Sequence, residues 1–376
     1  MRPVVVVISE LRTGIGGVAS HFRCLEPHLV QHVDYLATGA PRARRGLVAT
    51  AVRLGKDWAR VCAVVLRAEV RLLHVNPSLN ARAVLREAWN VLAARLAGKK
   101  VVVFWHGWDW GFAARLDRRL WALLFRVSYG QADAHVVLAS RFRDYLLQHG
   151  CTGPVYCEST AVPDELFGAS RPDAPTSPGP LRLLFLSRIE KDKGIYVAID
   201  TASALQRLGH EVSLVVAGDG GEREAAEEYV RRNGLQGISF VGYVVGQQKV
   251  RVLSEADVYL FPSNHGEGMP LSVLEAMAAG LPIVCTRVAG LGDFFEDGRM
   301  GYSTRTPSVG DFVERVVRLT GERQQWPAMA RYNHEYAKTH FSASVVAARL
   351  RAIYGRTIGD ASVPEMTVTT GPGRVK

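Results

Sequence analysis

The chain has 376 residues, of which 48% are hydrophobic and 22% are charged, so it can bury sizeable cores in two or three domains and is neither a small single module nor a disordered polymer. The formal charge is +10, and residues 1–170 hold 22 Lys and Arg against 13 Asp and Glu, whereas the remainder holds 24 against 23. A positive field confined to one half favours an anionic partner there, such as nucleic acid, an acidic lipid surface or a phosphorylated acceptor. No apolar run approaches the ~18 residues that span a bilayer, which argues against an integral membrane protein.

Short apolar runs alternate with amphipathic stretches over residues 1–168, which predicts a Rossmann-like N-terminal domain with a parallel, doubly wound sheet. The predicted strands are residues 4–8, 33–37, 72–76, 101–105 and 134–139, and helical spacing is found in residues 17–31, 80–97 and 115–131. The chain reaches Glu10 after a very short apolar stretch, which is typical of a first strand and not of a signal peptide, so we expect a cytoplasmic protein. Five cysteines without a CxxC pair favour reduced thiols over disulfides or a structural zinc site.

A proline-rich linker over residues 169–180 is followed by a second α/β domain, for which we expect the bounds 181–340. Its predicted strands are residues 181–187, 212–217, 238–241, 258–261 and 283–285, and its predicted helices are residues 195–208, 222–233, 270–279 and 311–319. We expect a closing helix over residues 341–356 and a flexible tail over residues 357–376.

The segment NHGEGMPLSVLEAMAAGLP, residues 264–282, is the most informative part of the sequence. Its proline suits the first turn of a helix, its glycines allow a ligand close to the backbone, and the N–H groups of a helix start bind anions. Glu267 precedes this start, and Glu275 lies within an otherwise apolar helix, where a carboxylate must face solvent or have a polar partner. Each glutamate alone is explained as a surface residue or a helix-start anion. The candidate ligand-binding residues of this segment are Gly268, Met269, Pro270, Leu271 and Glu275.

Two cations, Arg188 and Lys193, follow the strand predicted at residues 181–187 and stand in the turn before a helix. Two cations beside a helix start suit an anion such as a diphosphate, whose negative charge they stabilise, although an Arg and a Lys in a polar loop are usually solvated. Gly218 follows the next strand in the turn GDGGERE, and Tyr243 ends the segment SFVGY.

In the first domain Gly16 and Gly17 stand in the turn RTGIGGVASHF after the first strand, where glycines suit a close approach to phosphate. Because GIGGVA also approximates a dinucleotide fingerprint, an NAD-dependent oxidoreductase is an alternative. His106 follows the strand at residues 101–105, a position suited to polar chemistry, although a lone histidine is more often structural.

The two glutamates and their Gly and Pro context resemble the E-x7-E signature of family-four, GT-B retaining glycosyltransferases, and residues 184–200 are similar to that family's R-x4-K-G element. The resemblance implies an α/β GT-B fold, with two Rossmann-like doubly wound domains facing across a cleft. It implies that Glu267 contacts the donor sugar and Glu275 the nucleotide ribose, that Arg188 and Lys193 bind the diphosphate, and that His106 contacts the donor sugar or the acceptor. It further implies that residues 239–243 run beside the base, that Gly16 and Gly17 face the donor, and that no metal or cofactor is needed.

The stretch WDWGFAARLDRRLWALLFR interleaves aromatic residues with arginines. It is explained either as a packed helix with a solvated basic face or as a surface that docks on an anionic membrane through Arg115, Arg118, Arg119 and Trp121. The nearby run PRARR, residues 41–45, would add to that surface. Nucleic-acid binding is disfavoured because no recognised nucleic-acid-binding motif is found.

The resemblance therefore implies a retaining hexosyltransferase, and the positive charge of the first half places it, as an expectation, on the inner face of the cell membrane. It would transfer a sugar from UDP or GDP to a lipid-linked glycan acceptor in bacterial surface polysaccharide synthesis. A soluble small-molecule acceptor, an NAD-dependent oxidoreductase and a catalytically silent nucleotide-binding protein are the alternatives.

Overall fold

The computed structural model describes residues 3–8, 17–38, 47–168, 180–264, 266, 268–288 and 290–360. The chain forms two compact units, of which the first comprises Met1–Ala161, Gly266–Met269 and Ala343–Lys376 and the second comprises Val162–His265 and Pro270–Ser342. Several predicted features lie outside the described residues, namely linker residues 169–179, tail residues 361–376, the basic run 41–45, Gly16 and Glu267.

The first unit is built on a parallel six-stranded sheet of order β2-β1-β3-β5-β7-β8. Its strands are β1 (Val4–Ile8), β2 (Val33–Ala37), β3 (Leu72–Val75), β5 (Lys100–Trp105), β7 (Ala134–Val137) and β8 (Val155–Cys157), and a separate short pair is formed by β4 (Ser78–Leu79) and β6 (Gly107–Trp108). Valine-rich β1 is buried at every position, as expected for a strand covered by helices on both faces.

The helices of the first unit are α1 (Gly17–Leu29), α2 (Leu47–Val65), α3 (Ala81–Leu96), α4 (Trp110–Ala113), α5 (Arg119–Val127), α6 (Ser140–Gln148) and α15 (Ala343–Thr357). The last of these returns from the end of the chain and packs against α1. Its Tyr354 hydroxyl lies 2.5 Å from His74 Nδ1 on β3, so a buried polar contact fixes the closing helix on the first sheet.

The second unit also contains a parallel six-stranded sheet, of order β11-β10-β9-β12-β13-β14. Its strands are β9 (Leu181–Leu186), β10 (Val212–Ala217), β11 (Ile238–Gly242), β12 (Val258–Phe261), β13 (Ile283–Thr286) and β14 (Gly301–Thr304). Its helices are α7 (Glu165–Gly168), α8 (Ile195–Arg207), α9 (Arg223–Arg232), α10 (Gly246–Glu255), α11 (Leu271–Ala278), α12 (Leu291–Phe294), α13 (Val309–Gly321) and α14 (Trp326–Phe341). Leucines and valines of β9 and β10 pack against α8 and α13 to form its core.

The structure confirms every predicted strand to within two residues and corrects one helix. Residues 115–131 do not form one continuous helix, because α5 ends at Val127 and a 3-10 turn, Tyr129–Gln131, follows. At this break Ser128 leaves helical geometry with ψ −83°, and its hydroxyl donates to the carbonyl of Leu124 at 2.6 Å. The elements that were not predicted are the helices α2, α4, α6, α7, α10, α12 and α14 and the strands β4, β6, β8 and β14.

Candidate functional site

The candidate site of the second unit lies where the strand order of its sheet reverses. The chain runs from β9 outward to β10 and β11 and then returns to place β12 on the other side of β9. In open parallel sheets such a reversal opens a crevice at the carboxyl ends of the strands, where ligands bind. Two loops of this unit lie at that end of the sheet, residues 187–194 after β9 and residues 262–264 after β12.

Arg188 and Lys193 stand in the first of these loops, as predicted. The Arg188 side chain is half exposed, and its Nη1 forms an ion pair with Glu190 Oε1 at 2.7 Å. Lys193 is buried and ends a 3-10 turn, Lys191–Lys193, directly before α8. The loop therefore brings two cations to the start of a helix, one exposed and one buried.

The two loops are fixed to each other by backbone contacts. The N–H of Asn264 donates to the carbonyl of Asp192 at 3.0 Å. Gly194 has φ +80°, and a Cβ at this position would lie 2.1 Å from the carbonyl oxygen of Pro262. Both the backbone conformation and the lack of space require glycine, so the loop carrying the cations is held against the loop that leads to α11.

Gly218, at the end of β10, is also required by its surroundings. Its φ is +148°, and a Cβ would lie 1.9 Å from the carbonyl oxygen of Ser187, directly before Arg188. Its N–H donates to the carbonyl of Gly242 at the end of β11. Tyr243 follows with an exposed side chain. The structure therefore brings the ends of β9, β10 and β11 together.

The helix predicted at residues 270–279 begins one residue later, because Pro270 has an extended conformation and precedes α11 instead of starting it. Leu271 is the first helical residue. The first turn is fixed to the sheet by Tyr259, whose hydroxyl lies 2.7 Å from Ser272 Oγ and 3.1 Å from the carbonyl oxygen of Leu186. The start of α11 therefore lies beside the end of β9.

Glu275 is buried and has a polar partner that sequence reasoning missed. Lys249 on α10 places Nζ 2.8 Å from Glu275 Oε1. Burial raises the pKa of the Glu275 carboxyl above its usual range, and the Lys249 ammonium opposes that shift. The explanation of Glu275 as a solvated surface residue is therefore wrong, and its alternative, a carboxylate with a polar partner, is confirmed.

His106 follows β5 in the first unit and is half-buried. Its ring stacks on Phe104 with centroids 4.0 Å apart, and its Nε2 lies 3.0 Å from Asn76 Oδ1. Asn76 donates its amide Nδ2 to the carbonyl of Val7, so its Oδ1 accepts and His106 Nε2 carries the hydrogen. Burial and the neighbouring His21 and His74 lower the pKa of His106 well below its ordinary value, which keeps the ring neutral near pH 7.

Gly268 and Met269 are buried within the first unit. A Cβ on Gly268 would lie 2.9 Å from the carbonyl oxygen of His106 and 2.7 Å from a methyl carbon of Leu138. Only glycine fits this close approach, and it places residue 268 against the end of β5.

The remaining predicted residues are distributed as follows. Gly17 is the first residue of α1, and no atom of the described residues would lie within 4 Å of a Cβ at this position. Asp109, three residues after His106, caps α4 by accepting from the N–H groups of Gly111 and Phe112. Arg115, Arg118 and Arg119 are exposed, whereas Trp121 is half-buried and packs edge-on against Phe112. Within the described part of the chain, no group of three or more His, Cys, Asp or Glu residues is arranged to hold a metal ion.

Known proteins match this architecture. Residues 180–322 match the family described as glycosyl transferases group 1. Glycogen synthase from Mycobacterium tuberculosis is 27% identical over 251 residues, which cover 66% of this chain and 59% of the relative. A putative colanic acid biosynthesis glycosyltransferase, WcaL, from Escherichia coli is 25% identical, over 68% of this chain and 62% of the relative. In both cases the match spans less than two thirds of the relative's own length.

A solved structure, that of HepE from Anabaena in complex with UDP and glucose, superimposes with a TM-score of 0.69 and 15% identity, covering 94% of this chain and 100% of the other. At that identity the likeness shows the fold. The two parallel six-stranded sheets with flanking helices are those of GT-B proteins. The predicted GT-B fold is therefore confirmed, and residues 180–322, which are less than half of the chain, match the family that the sequence resembles.

Proposed function

We propose that this protein is a retaining glycosyltransferase that moves a sugar from a nucleotide sugar to a lipid-linked glycan acceptor in bacterial surface polysaccharide synthesis. The observation that carries this proposal is the crevice at the β9/β12 reversal, where Arg188 and Lys193 lie beside a helix that bears the buried Glu275. Two cations and a carboxylate suit the diphosphate and the ribose of a sugar nucleotide. The segment that matches the family contains all three residues.

In the proposed reaction the bond between the anomeric carbon and the diphosphate oxygen breaks, and the acceptor oxygen bonds to the same face of that carbon. Arg188 and Lys193 stabilise the charge that develops on the departing diphosphate. The acceptor's proton passes to the departing phosphate oxygen, so the mechanism needs no separate general base. Glu267 orients the sugar, and no metal or other cofactor enters the reaction.

Lys249 takes part in this proposal as a positioning residue. Glu275 would accept a hydrogen bond from the ribose, which requires an ionised carboxylate in a buried place. The Lys249 ammonium lies 2.8 Å from Glu275 Oε1, which favours the ionised form of the carboxyl and holds this oxygen in place. The other oxygen is thereby oriented for the ligand.

The nature of the acceptor is supported by charge and by a relative. The first 170 residues carry a net charge of +9, since they hold 22 basic and 13 acidic residues. A colanic acid biosynthesis glycosyltransferase is among the similar proteins. We therefore propose action at the inner face of the cell membrane, and we note that no described helix is long and apolar enough to cross it.

The donor site is tested by thermal unfolding in the presence of UDP, GDP, ADP and NAD. A ligand at 100 times its Kd stabilises the folded protein by about 2.7 kcal/mol. A shift with UDP or GDP supports the proposal and identifies the base, and the HepE complex makes UDP the first choice. A shift with NAD alone contradicts it. Retention is tested by assigning the anomeric configuration of the product by NMR.

The diphosphate role of the cations is tested with matched lysine variants of the 3-10 turn. Lys193→Ala should raise the Kd for the nucleoside diphosphate at least tenfold, since charge-assisted contacts contribute about 1.5–3 kcal/mol. Lys191→Ala is the control, because this side chain lies in the same turn and is 74% exposed. Arg188→Ala provides a second, exposed test if the buried Lys193 proves necessary for folding. Unchanged affinity in Arg188→Ala together with Lys193→Ala contradicts the assignment.

Catalysis is separated from binding with Glu267→Ala. Transfer should collapse in this variant, while the thermal shift with the nucleoside diphosphate largely survives. Transfer at the wild-type rate contradicts the role of Glu267, and a wild-type protein that binds the nucleotide but transfers no sugar would be a silent binding protein.

A further inference from the structure

We propose that the outward sides of α2, α3 and α5 form a docking surface for an anionic lipid bilayer. We call this surface the α2–α3–α5 face and define it by the exposed side chains Trp58, Leu85, Trp89, Leu120 and Leu123. The inference rests on the proposed lipid-linked acceptor and deepens it, because it says which side of the first unit contacts the lipid.

Topology places the three helices on one side of the first sheet. In the sheet order β2-β1-β3-β5-β7-β8, α2 leads from β2 to β3, α3 leads from β3 to β5, and α5 leads from β5 to β7. All three crossovers therefore advance in the same direction along the sheet. Right-handed crossovers that advance in one direction lie on the same face, whereas α1 runs the opposite way, from β1 to β2. Contacts agree, since α2 packs against α3 and Arg95 at the end of α3 donates to the carbonyl of Val127 at the end of α5 at 3.3 Å.

The apolar residues of α3 occupy both of its sides. Its inner side buries Val84, Ala88 and Val91 against the sheet, as expected for a helix of a soluble domain. Its outer side exposes Leu85 and Trp89, spaced one turn apart, and Trp89 is 61% exposed. A polar outer side is the ordinary arrangement, so these two exposed apolar side chains on the outer side favour a contact with an apolar partner.

The neighbouring helices also expose apolar side chains. On α5 the exposed leucines Leu120 and Leu123 are three residues apart, and Leu120 is 83% exposed. On α2 the indole of Trp58 is 47% exposed. Exposed tryptophans and leucines on helices are typical of surfaces that lie in the interface of a bilayer. By contrast Trp121, which the sequence suggested as an anchor, is half-buried against Phe112.

Charge identifies the occupant as an anionic bilayer. Over their described lengths the three helices carry eight Lys and Arg but only two Asp and Glu, a net charge of +6. Both acids are buried and paired, Asp57 with Arg60 and Glu87 with Arg86 at 2.9 Å. The exposed charge is therefore positive, and it matches lipid phosphates. A second copy of the chain would present the same positive charge and be repelled.

The test uses the full-length protein and sedimentation with vesicles of phosphatidylcholine, with and without phosphatidylglycerol. We expect binding to the anionic vesicles only and release of the protein at high salt. Trp89→Ser combined with Leu123→Ser should lower the partition coefficient at least tenfold, because two apolar side chains would no longer enter the bilayer interface. Both side chains are exposed, so their loss removes no packing from the core and the double variant should fold. Leu208→Ser is the matched control, because it removes an exposed leucine from the second unit.

Three results would overturn the proposal: absence of binding to anionic vesicles at low salt, equal binding of the double variant, or a wild-type dimer that the double variant dissociates. The last result would assign the face to a contact between copies of the chain. The thermal shift with UDP or GDP separates this inference from the proposed function. If that shift persists while vesicle binding fails, only the docking surface is wrong, and if vesicles bind without any nucleotide shift, only the donor site is wrong.

Discussion

The contact between Lys249 and Glu275 gives the most quantitative prediction. Lys249→Met removes the ammonium and leaves a carboxylate whose side chain is 4% exposed without that partner. Breaking a buried ion pair by removing one member costs about 3–5 kcal/mol, because the remaining charge stays desolvated. We therefore expect a marked loss in the free energy of unfolding at pH 7.

Protonation of Glu275 limits this loss and makes it depend on pH. The ordinary pKa of the carboxyl is 4.5, and burial raises it in the folded protein. Neutralising the group at pH 7 costs about 3.4 kcal/mol, since each pH unit corresponds to about 1.4 kcal/mol, whereas at pH 5.5 the cost is about 1.4 kcal/mol. Because the raised pKa of the wild-type carboxyl already carries part of this cost, the deficit of Lys249→Met should be no more than about 3 kcal/mol at pH 7 and no more than about 1 kcal/mol at pH 5.5.

The assay is urea unfolding of both proteins at the two pH values. Lys191→Met serves as the control, because it removes an exposed lysine from the same unit. The double variant Lys249→Met with Glu275→Gln should recover much of the lost stability, since the buried group is then neutral at every pH. An equal deficit at both pH values would refute the reasoning, because the loss would then arise from packing and not from an unpaired charge.

Two further predictions concern stability. Burial lowers the pKa of His21 and of His74 to about 3, so the unfolded chain binds more protons than the folded one below pH 6.5. Each histidine should therefore lower the free energy of unfolding by about 2 kcal/mol at pH 5 relative to pH 7. Urea titrations that give the same free energy of unfolding at pH 7 and pH 5 would contradict this. Gly194→Ala should lower the melting temperature more than Gly209→Ala, since both have positive φ but only at Gly194 does a Cβ meet the Pro262 carbonyl. Equal melting temperatures of the two variants would contradict this prediction, because they would show that the loop at Gly194 can shift to make room for a Cβ.

The strands were predicted well because their signal is local. Runs such as VVVVI and VVVFW are apolar at successive positions, and only a strand covered on both faces requires that pattern over so short a length. Once the strands are located, the loops are the residues that directly follow them. Arg188 and Gly218 were therefore correctly placed at the ends of β9 and β10.

Helix α14 was missed because polar residues face the interior. Its Asn333 is buried and donates to the carbonyls of Leu281 and Met300 at 2.8 and 2.9 Å. His334 is also buried, with Nδ1 2.8 Å from the carbonyl oxygen of Ala278. In a sequence, Asn and His are normally interpreted as surface residues. They therefore interrupt the regular spacing of apolar residues from which a helix is recognised.

The partners of the site residues were invisible for a related reason. Lys249 lies on an amphipathic helix, where a lysine is ordinarily solvated, and its contact with Glu275 spans 26 residues of chain. Asn76 likewise reaches His106 across 30 residues. A sequence motif can indicate which residue contacts a ligand. The side chain that orients this residue comes from a distant part of the chain through tertiary packing, so it has no fixed spacing from the motif.

The ion pair between Arg188 and Glu190 connects this geometry with the proposed chemistry. The two side chains are two residues apart and partly exposed, and such pairs contribute only about 0–1 kcal/mol to stability. Glu190 therefore orients the guanidinium before the ligand arrives and can be replaced by a phosphate at little cost. A diphosphate, with more charge than one carboxylate and a better match to the guanidinium fork, should win this exchange. The buried Lys193, which stands directly before α8, would then supply the second charge close to the first, as the stabilisation of a departing diphosphate requires.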